Sequence, residues 1–128
     1  MDTRTKIVDL PAAAAIAARL RSGGARLKLV AGYFDVLTPD EVCRLRSLSD
    51  GQQLMIVVLD PPNPLLPARA RAELAASLSM VDYVLALPAA GLEQALEQIR
   101  PDEVIREEAA GTQRLQTLIE HVHRRQRA

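Results

Sequence analysis

The stretch QLMIVVLD, residues 53–60, decides the fold class of this chain. Its apolar run is rich in β-branched residues, too short for a helix and too apolar for the edge of a sheet. Runs of this kind are typical of strands buried on both faces. We therefore predict a central strand in a parallel sheet.

Helical and strand patterns alternate on both sides of this run. Further strands are predicted at residues 26–34, 81–87 and 103–106, and helices at about 10–21, 38–48, 69–80, 92–99 and 112–125. The proline-rich segment 61–67 interrupts the alternation, because proline removes backbone donors and fixes backbone angles. The alternation predicts one α/β domain over residues 1–128: a Rossmann-like three-layer α/β/α sandwich with a mostly parallel sheet of four to five strands.

The composition excludes several classes of partner. Sixteen basic residues balance sixteen acidic ones, and only 2% of residues are aromatic, which argues against nucleic acid binding. The longest apolar stretch outside the strands, residues 11–18, is too short to span a bilayer, so no membrane role is expected. Cys43 stands alone and no secretory leader is visible, which predicts a reducing cytoplasm and a small buried role for that cysteine.

The candidate ligand site lies where the first strand ends, in GYFDVLTPDEV, residues 32–42. In parallel α/β sheets, ligands bind beyond the carboxyl ends of the strands, at the point where the strand order reverses. The loop of residues 32–37 leaves the first strand at that edge. We therefore expect a small anionic ligand to bind there if the chain binds one.

Several segments, in order, resemble the small nucleotidyltransferases related to glycerol-3-phosphate cytidylyltransferase and to the adenylyltransferase domain of ADP-heptose synthesis. The likeness covers roughly residues 6–106. Besides the lead-in helix, its segments are the strand ending in Gly32, Phe34 and Asp35, then RAELAASLSMVDYV at 71–84, then IRPDEVI at 99–105. The resemblance implies the same α/β fold and a site for a nucleotide or a phosphorylated small molecule.

The residues that carry catalysis in that family are replaced here. Its His-x-Gly-His motif corresponds to residues 38–41, which read Thr-Pro-Asp-Glu, and its Lys-Gly-Gly segment corresponds to residues 106–108, which read Arg-Glu-Glu. Its Thr-Asn pair before the glycine is Val-Ala at residues 30–31. The resemblance then leaves no catalytic residue and no metal ligand. The nucleotide-binding candidates are Gly32, Phe34, Asp35, Thr38 and Arg71.

Each candidate also has a structural interpretation. Thr38 and Glu41 fit a capping box at the start of a helix, with Pro39 in its first position, as well as a phosphate or metal site. Asp35 is either a turn residue or a ligand contact. Arg71 either binds a phosphate or is a solvated arginine. His121 and His123 are two residues apart, so on a helix they cannot bind one metal together.

The sequence favours a degenerate nucleotidyltransferase domain that is inactive and retained for binding a ligand or a partner protein. One alternative is an active, divergent nucleotidyltransferase that transfers CMP or AMP to a sugar or polyol phosphate, and only this alternative calls for Mg²⁺. Another is a structural or regulatory subunit that binds no nucleotide. A homo-oligomer and a separate partner protein both stay open.

Overall fold

The computed structural model describes residues 2–34, 37–60 and 66–107. Helices and strands alternate along these residues. The helices are α1 (Leu10–Ser22), α2 (Pro39–Ser49), α3 (Ala68–Ala76) and α4 (Leu92–Ile99), and the strands are β1 (Leu27–Gly32), β2 (Gln53–Leu59), β3 (Tyr83–Leu87) and β4 (Glu103–Arg106). The helix predicted at residues 112–125 lies outside the described residues.

The four described strands form one parallel sheet in the order β3-β2-β1-β4. β2 lies between β3 and β1, and its residues from Leu54 to Leu59 are all buried. The predicted α/β fold with a parallel sheet is therefore confirmed. The strand order reverses at β1, because the chain moves from β1 through β2 to β3 and then crosses back to β4 on the other side.

Helices cover the sheet on both faces, which gives the predicted three layers. One face packs against buried residues of α1 and α4, namely Ala13, Ala17, Leu92, Ala95 and Ile99. The other face packs against buried residues of α2 and α3, namely Leu45, Ala72, Ala75 and Ala76. Within the described part of the chain, no helix combines the length and the apolar character needed to cross a membrane.

Two aspartates fix the register of the strands at the amino edge of the sheet. The Asp82 carboxylate accepts a hydrogen bond from the Leu54 amide at 2.8 Å, and the Asp82 amide donates to the Leu54 carbonyl at 2.9 Å. Asp102 does the same for Leu27, at 2.7 Å and 2.9 Å. Each aspartate lies just before one strand and forms hydrogen bonds with a backbone amide and carbonyl near the start of the neighbouring strand. Both lie in segments that carry the family resemblance.

Three local expectations differ from the structure. β1 ends at Gly32 rather than at residue 34, because Phe34 adopts a left-handed backbone with φ of 51° that ends the pairing. α3 ends at Ala76 rather than at residue 80, and its Leu74 is 42% exposed. Cys43 was expected to be buried, but its thiol is free and exposed, because α2 buries the face that carries Leu45.

We predict that Asp82→Ala lowers the free energy of unfolding by about 1–2 kcal/mol, because the amide of buried Leu54 loses its acceptor. Urea denaturation monitored by circular dichroism measures the change.

Asp82→Asn is the matched control, since its side-chain oxygen still accepts the bond and should retain most of the stability. Equal losses in the two variants would contradict a role through this hydrogen bond.

Candidate functional site

The amino end of α2, where the resembling family carries its histidine motif, is capped by the chain itself. Thr38 has an extended backbone, and its hydroxyl oxygen accepts a hydrogen bond from the Glu41 amide at 3.2 Å. Pro39 occupies the first helical position, where no amide donor is needed. Asp40 and Glu41 place two carboxylates in the first turn, where they complement the helix dipole. The Thr38 hydrogen bond of the capping box expected from the sequence is present.

Gly32 lies under two side chains at the exit of β1. A Cβ atom added at this position would be 3.1 Å from the Glu107 Cβ and 3.2 Å from Cε2 of the Phe34 ring. Both distances are shorter than ordinary van der Waals contact, so a larger residue at this position would require Glu107 and Phe34 to shift by a few tenths of an ångström. Phe34 also packs against the apolar cluster that contains Val30 and Leu45. Its ring is therefore held by the core.

Glu107 and Arg44 form an ion pair beside this glycine. The Arg44 Nη2 lies 2.8 Å from the Glu107 Oε1, and the Glu107 amide donates to the Ala31 carbonyl at 2.7 Å. The Glu107 side chain is only 13% exposed, whereas that of Arg44 is 51% exposed. The pair links α2 to the residue that follows β4. It closes the side of the β1 exit that faces β4.

Arg71 of α3 lies beneath the same edge, and its guanidinium uses four donor positions on protein oxygens. Nη1 donates to the carbonyls of Leu59 at 2.6 Å and Tyr33 at 3.1 Å. Nε donates to the Leu66 carbonyl at 3.1 Å, and Nη2 donates to the Asp60 carboxylate at 2.8 Å. One side chain therefore joins the ends of β1 and β2 to the start of α3.

These contacts correct the interpretation of Arg71 as a solvated arginine, since the residue is 1% exposed. They also bear on the phosphate interpretation. Guanidinium has five N–H donors in a fixed plane, and most of them are already used on carbonyl oxygens and a carboxylate. A phosphate at Arg71 would have to displace some of these contacts.

The structure describes most of the other nucleotide-binding candidates but not all of them. Gly32 and Phe34 are in contact, and Thr38 begins the helix that follows them. Asp35 lies outside the described residues, as do residues 61–65 of the proline-rich segment. In the described ranges, no group of three or more His, Cys, Asp or Glu residues is arranged to hold a metal ion.

Sequence reasoning missed two residues that shape this edge, Glu107 and Arg44, and one at the opposite edge, Lys28. Glu107 was noted as a replacement within the Lys-Gly-Gly segment, and its partner Arg44 gave no signal. Lys28 is 7% exposed, and its ammonium donates to the Leu48 carbonyl at 2.5 Å while lying 3.5 Å from the Glu103 carboxylate. Lys28 thus fixes the carboxyl end of α2, where a cation also suits the helix dipole.

Comparisons with known proteins agree with this architecture. No family profile matches the sequence. The bifunctional protein HldE of Acidiphilium cryptum (strain JF-5) is 32% identical over 111 residues, which cover 79% of this chain and 23% of that protein. The chain thus spans under a quarter of that relative's length.

One solved structure shares the fold. The crystal structure of the lipopolysaccharide core biosynthesis protein from Thermoplasma volcanium GSS1 matches with a TM-score of 0.56 at 18% identity, over 62% of this chain and 71% of that chain. This likeness, together with the sheet order, defines a Rossmann-like α/β domain. Both comparisons support the similarity to the cytidylyltransferase-like nucleotidyltransferase family that the sequence resemblance predicted.

We predict that Arg71→Met lowers the free energy of unfolding by about 3 kcal/mol, because the carbonyls of Leu59 and Tyr33 lose a buried charged donor. Thermal and urea unfolding measure the loss.

Arg69→Met is the control on the same helix, because Arg69 is exposed and its ion pair among the described residues is an i,i+4 pair with Glu73. It should change stability by less than about 0.5 kcal/mol. An Arg71 variant as stable as the Arg69 variant would contradict the structural role.

Proposed function

We propose that this chain is a nucleotidyltransferase-related domain that transfers no nucleotide and is retained for binding a ligand or a partner protein. The observation that carries the proposal is the amino end of α2, where Thr38 caps the helix and Asp40 and Glu41 follow. The described residues contain no histidine. The groups that would stabilise charge on a leaving pyrophosphate are therefore replaced by a cap and two acids.

The energetic consequence of these replacements is large. One preorganised donor is typically worth about 10² to 10³ in rate, so two lost imidazoles correspond to roughly 5–8 kcal/mol of transition-state stabilisation if they act additively. A carboxylate about 4 Å from a phosphate adds repulsion of about 4 kcal/mol at an effective dielectric constant near 20. Asp40 and Glu41 both lie in the turn that would face the phosphates. Mg²⁺ would have to offset this repulsion in any active form.

The Arg71 contacts support the same proposal. In the alternative of an active, divergent enzyme, Arg71 would bind phosphate with help from Asp35 and a metal at Glu41. Four donor positions of Arg71 instead hold the protein's own oxygens, so this alternative would require the loss of those contacts. No described contact favours the active alternative over the inactive one.

A ligand, a homo-oligomer and a partner protein are all compatible with this proposal. The chemistry of the family suggests a nucleotide or a sugar phosphate as the ligand. Cys43 is a free, exposed thiol, which suits a reducing compartment such as the cytoplasm. The alternative of a purely structural subunit gains support from the covered glycine at the β1 exit.

We predict no pyrophosphate release from CTP or ATP when the protein is incubated with Mg²⁺ and a panel of sugar and polyol phosphates. A coupled phosphate assay that includes pyrophosphatase measures the rate, with an active cytidylyltransferase as the positive control. Turnover that disappears in Arg71→Lys would contradict the proposal and would support the active alternative.

A retained nucleotide site predicts a higher melting temperature with CTP or ATP. A ligand at about one hundred times its dissociation constant adds about 2.7 kcal/mol to the free energy of unfolding. Scanning calorimetry at several nucleotide concentrations measures the effect, with inorganic sulfate as the ionic-strength control. An unchanged melting temperature with both nucleotides would favour a protein-binding or structural role.

A further inference from the structure

We propose that the Glu107–Arg44 pair is an autoinhibitory latch, in which the Glu107 carboxylate occupies on Arg44 the position that a phosphate group of a ligand would take. This inference rests on the proposed function, retention for binding without catalysis, and places a phosphate-bearing ligand at the β1 exit. It adds the residue that would bind the ligand, Arg44, and the residue that must be displaced, Glu107. Neither was a candidate from the sequence.

The position of the pair supports the latch. In the parallel α/β class, ligands bind beyond the carboxyl end of the strand at which the order reverses, and that strand is β1. The Glu107 side chain lies on Gly32, close to the end of this strand, with its Cβ 3.1 Å from the position of an added Gly32 Cβ. The acid therefore fills the space that the glycine leaves. In the resembling family this position belongs to a Lys-Gly-Gly segment.

The chemistry of Arg44 suits a phosphate. Its guanidinium is a planar, permanently charged group that binds carboxylates and phosphates through the same N–H donors. Arg44 lies in the second turn of α2, and helical side chains point back toward the amino end of their helix. Its side chain is half exposed, so a ligand can approach it from solvent. Arg44 thus pairs with an internal acid while remaining accessible.

Arg44 explains why an internal anion is stable at this edge, although the acids Asp40 and Glu41 lie one turn earlier on the same helix. Glu107 is mostly buried, and a buried carboxylate is costly unless it is paired, so Arg44 is required to hold it. A phosphate group that replaced Glu107 would keep Arg44 paired and would release the carboxylate to water. Binding is then a competition between two anions for one guanidinium, and the apparent affinity falls with the closed fraction.

The test uses inorganic pyrophosphate as the probe and isothermal titration calorimetry as the measurement. Glu107→Gln retains the side-chain size and removes the competing charge, so we expect it to bind pyrophosphate at least about tenfold more tightly than the unmodified chain. Glu107→Gly also opens the space over Gly32 and should bind at least as tightly. Adding Arg44→Gln to Glu107→Gln should abolish the gain.

Glu103→Gln is the matched control, because Glu103 is an acid at the start of β4, the strand that Glu107 follows, and is paired with Lys28 at the opposite edge. It should leave pyrophosphate affinity unchanged. The latch is overturned if Glu107→Gln and Glu107→Gly bind pyrophosphate no better than Glu103→Gln. It is also overturned if the Glu107 variants lower the melting temperature without any gain in binding, since the pair is then only structural.

A measurement on the unmodified chain covers the case in which the variants fold poorly. Nuclear magnetic resonance of the arginine Nε–Hε groups during a pyrophosphate titration should show a larger shift for Arg44 than for exposed Arg69. Equal shifts would overturn the latch. Pyrophosphate release from CTP by the unmodified chain would instead contradict the proposed function, so the two failures are distinguishable.

Discussion

Arg71 donates hydrogen bonds to carbonyl oxygens at the ends of two neighbouring strands, and the geometry of the carboxyl edge depends on these contacts. The same guanidinium donates hydrogen bonds to the Asp60 carboxylate and the Leu66 carbonyl. It therefore also holds the backbone just before the start of α3. A buried cation is stable only where oxygens surround it. The described residues that flank the loops at this edge are therefore held by one arginine, whose contacts support the fold.

A common principle links this arginine with the cap of α2 and the Glu107–Arg44 pair. In each case the chain's own groups occupy donors or space that a phosphate ligand would need. The Thr38 hydroxyl accepts a hydrogen bond from an amide at the start of α2, and Glu107 forms an ion pair with the Arg44 guanidinium. The Phe34 ring fills the space above Gly32. The proposed absence of nucleotide transfer is thus compatible with the family's fold, because the same contacts that support the fold fill the proposed site.

The sequence predicted the fold well and the site only in part. The apolar run of β2 and the alternation of helices and strands around it predict a parallel sheet. The capping residue Thr38 and the proline that follows it predict the start of α2. The end of β1 could not be predicted, because a left-handed backbone is uncommon for phenylalanine and nothing in the sequence around Phe34 signals it. The burial of Arg71 was equally hidden, since three of its four partner groups are backbone carbonyls, which have no sequence signature.

The central claim is that the β1 exit and the amino end of α2 are satisfied by the protein's own side chains. The most direct test is a crystal structure of the protein soaked with CTP and Mg²⁺. The account predicts no triphosphate at Thr38, with Arg71 still bound to the carbonyls of Leu59 and Tyr33. A triphosphate seated on the amino end of α2, with Arg71 turned toward it, would contradict the account.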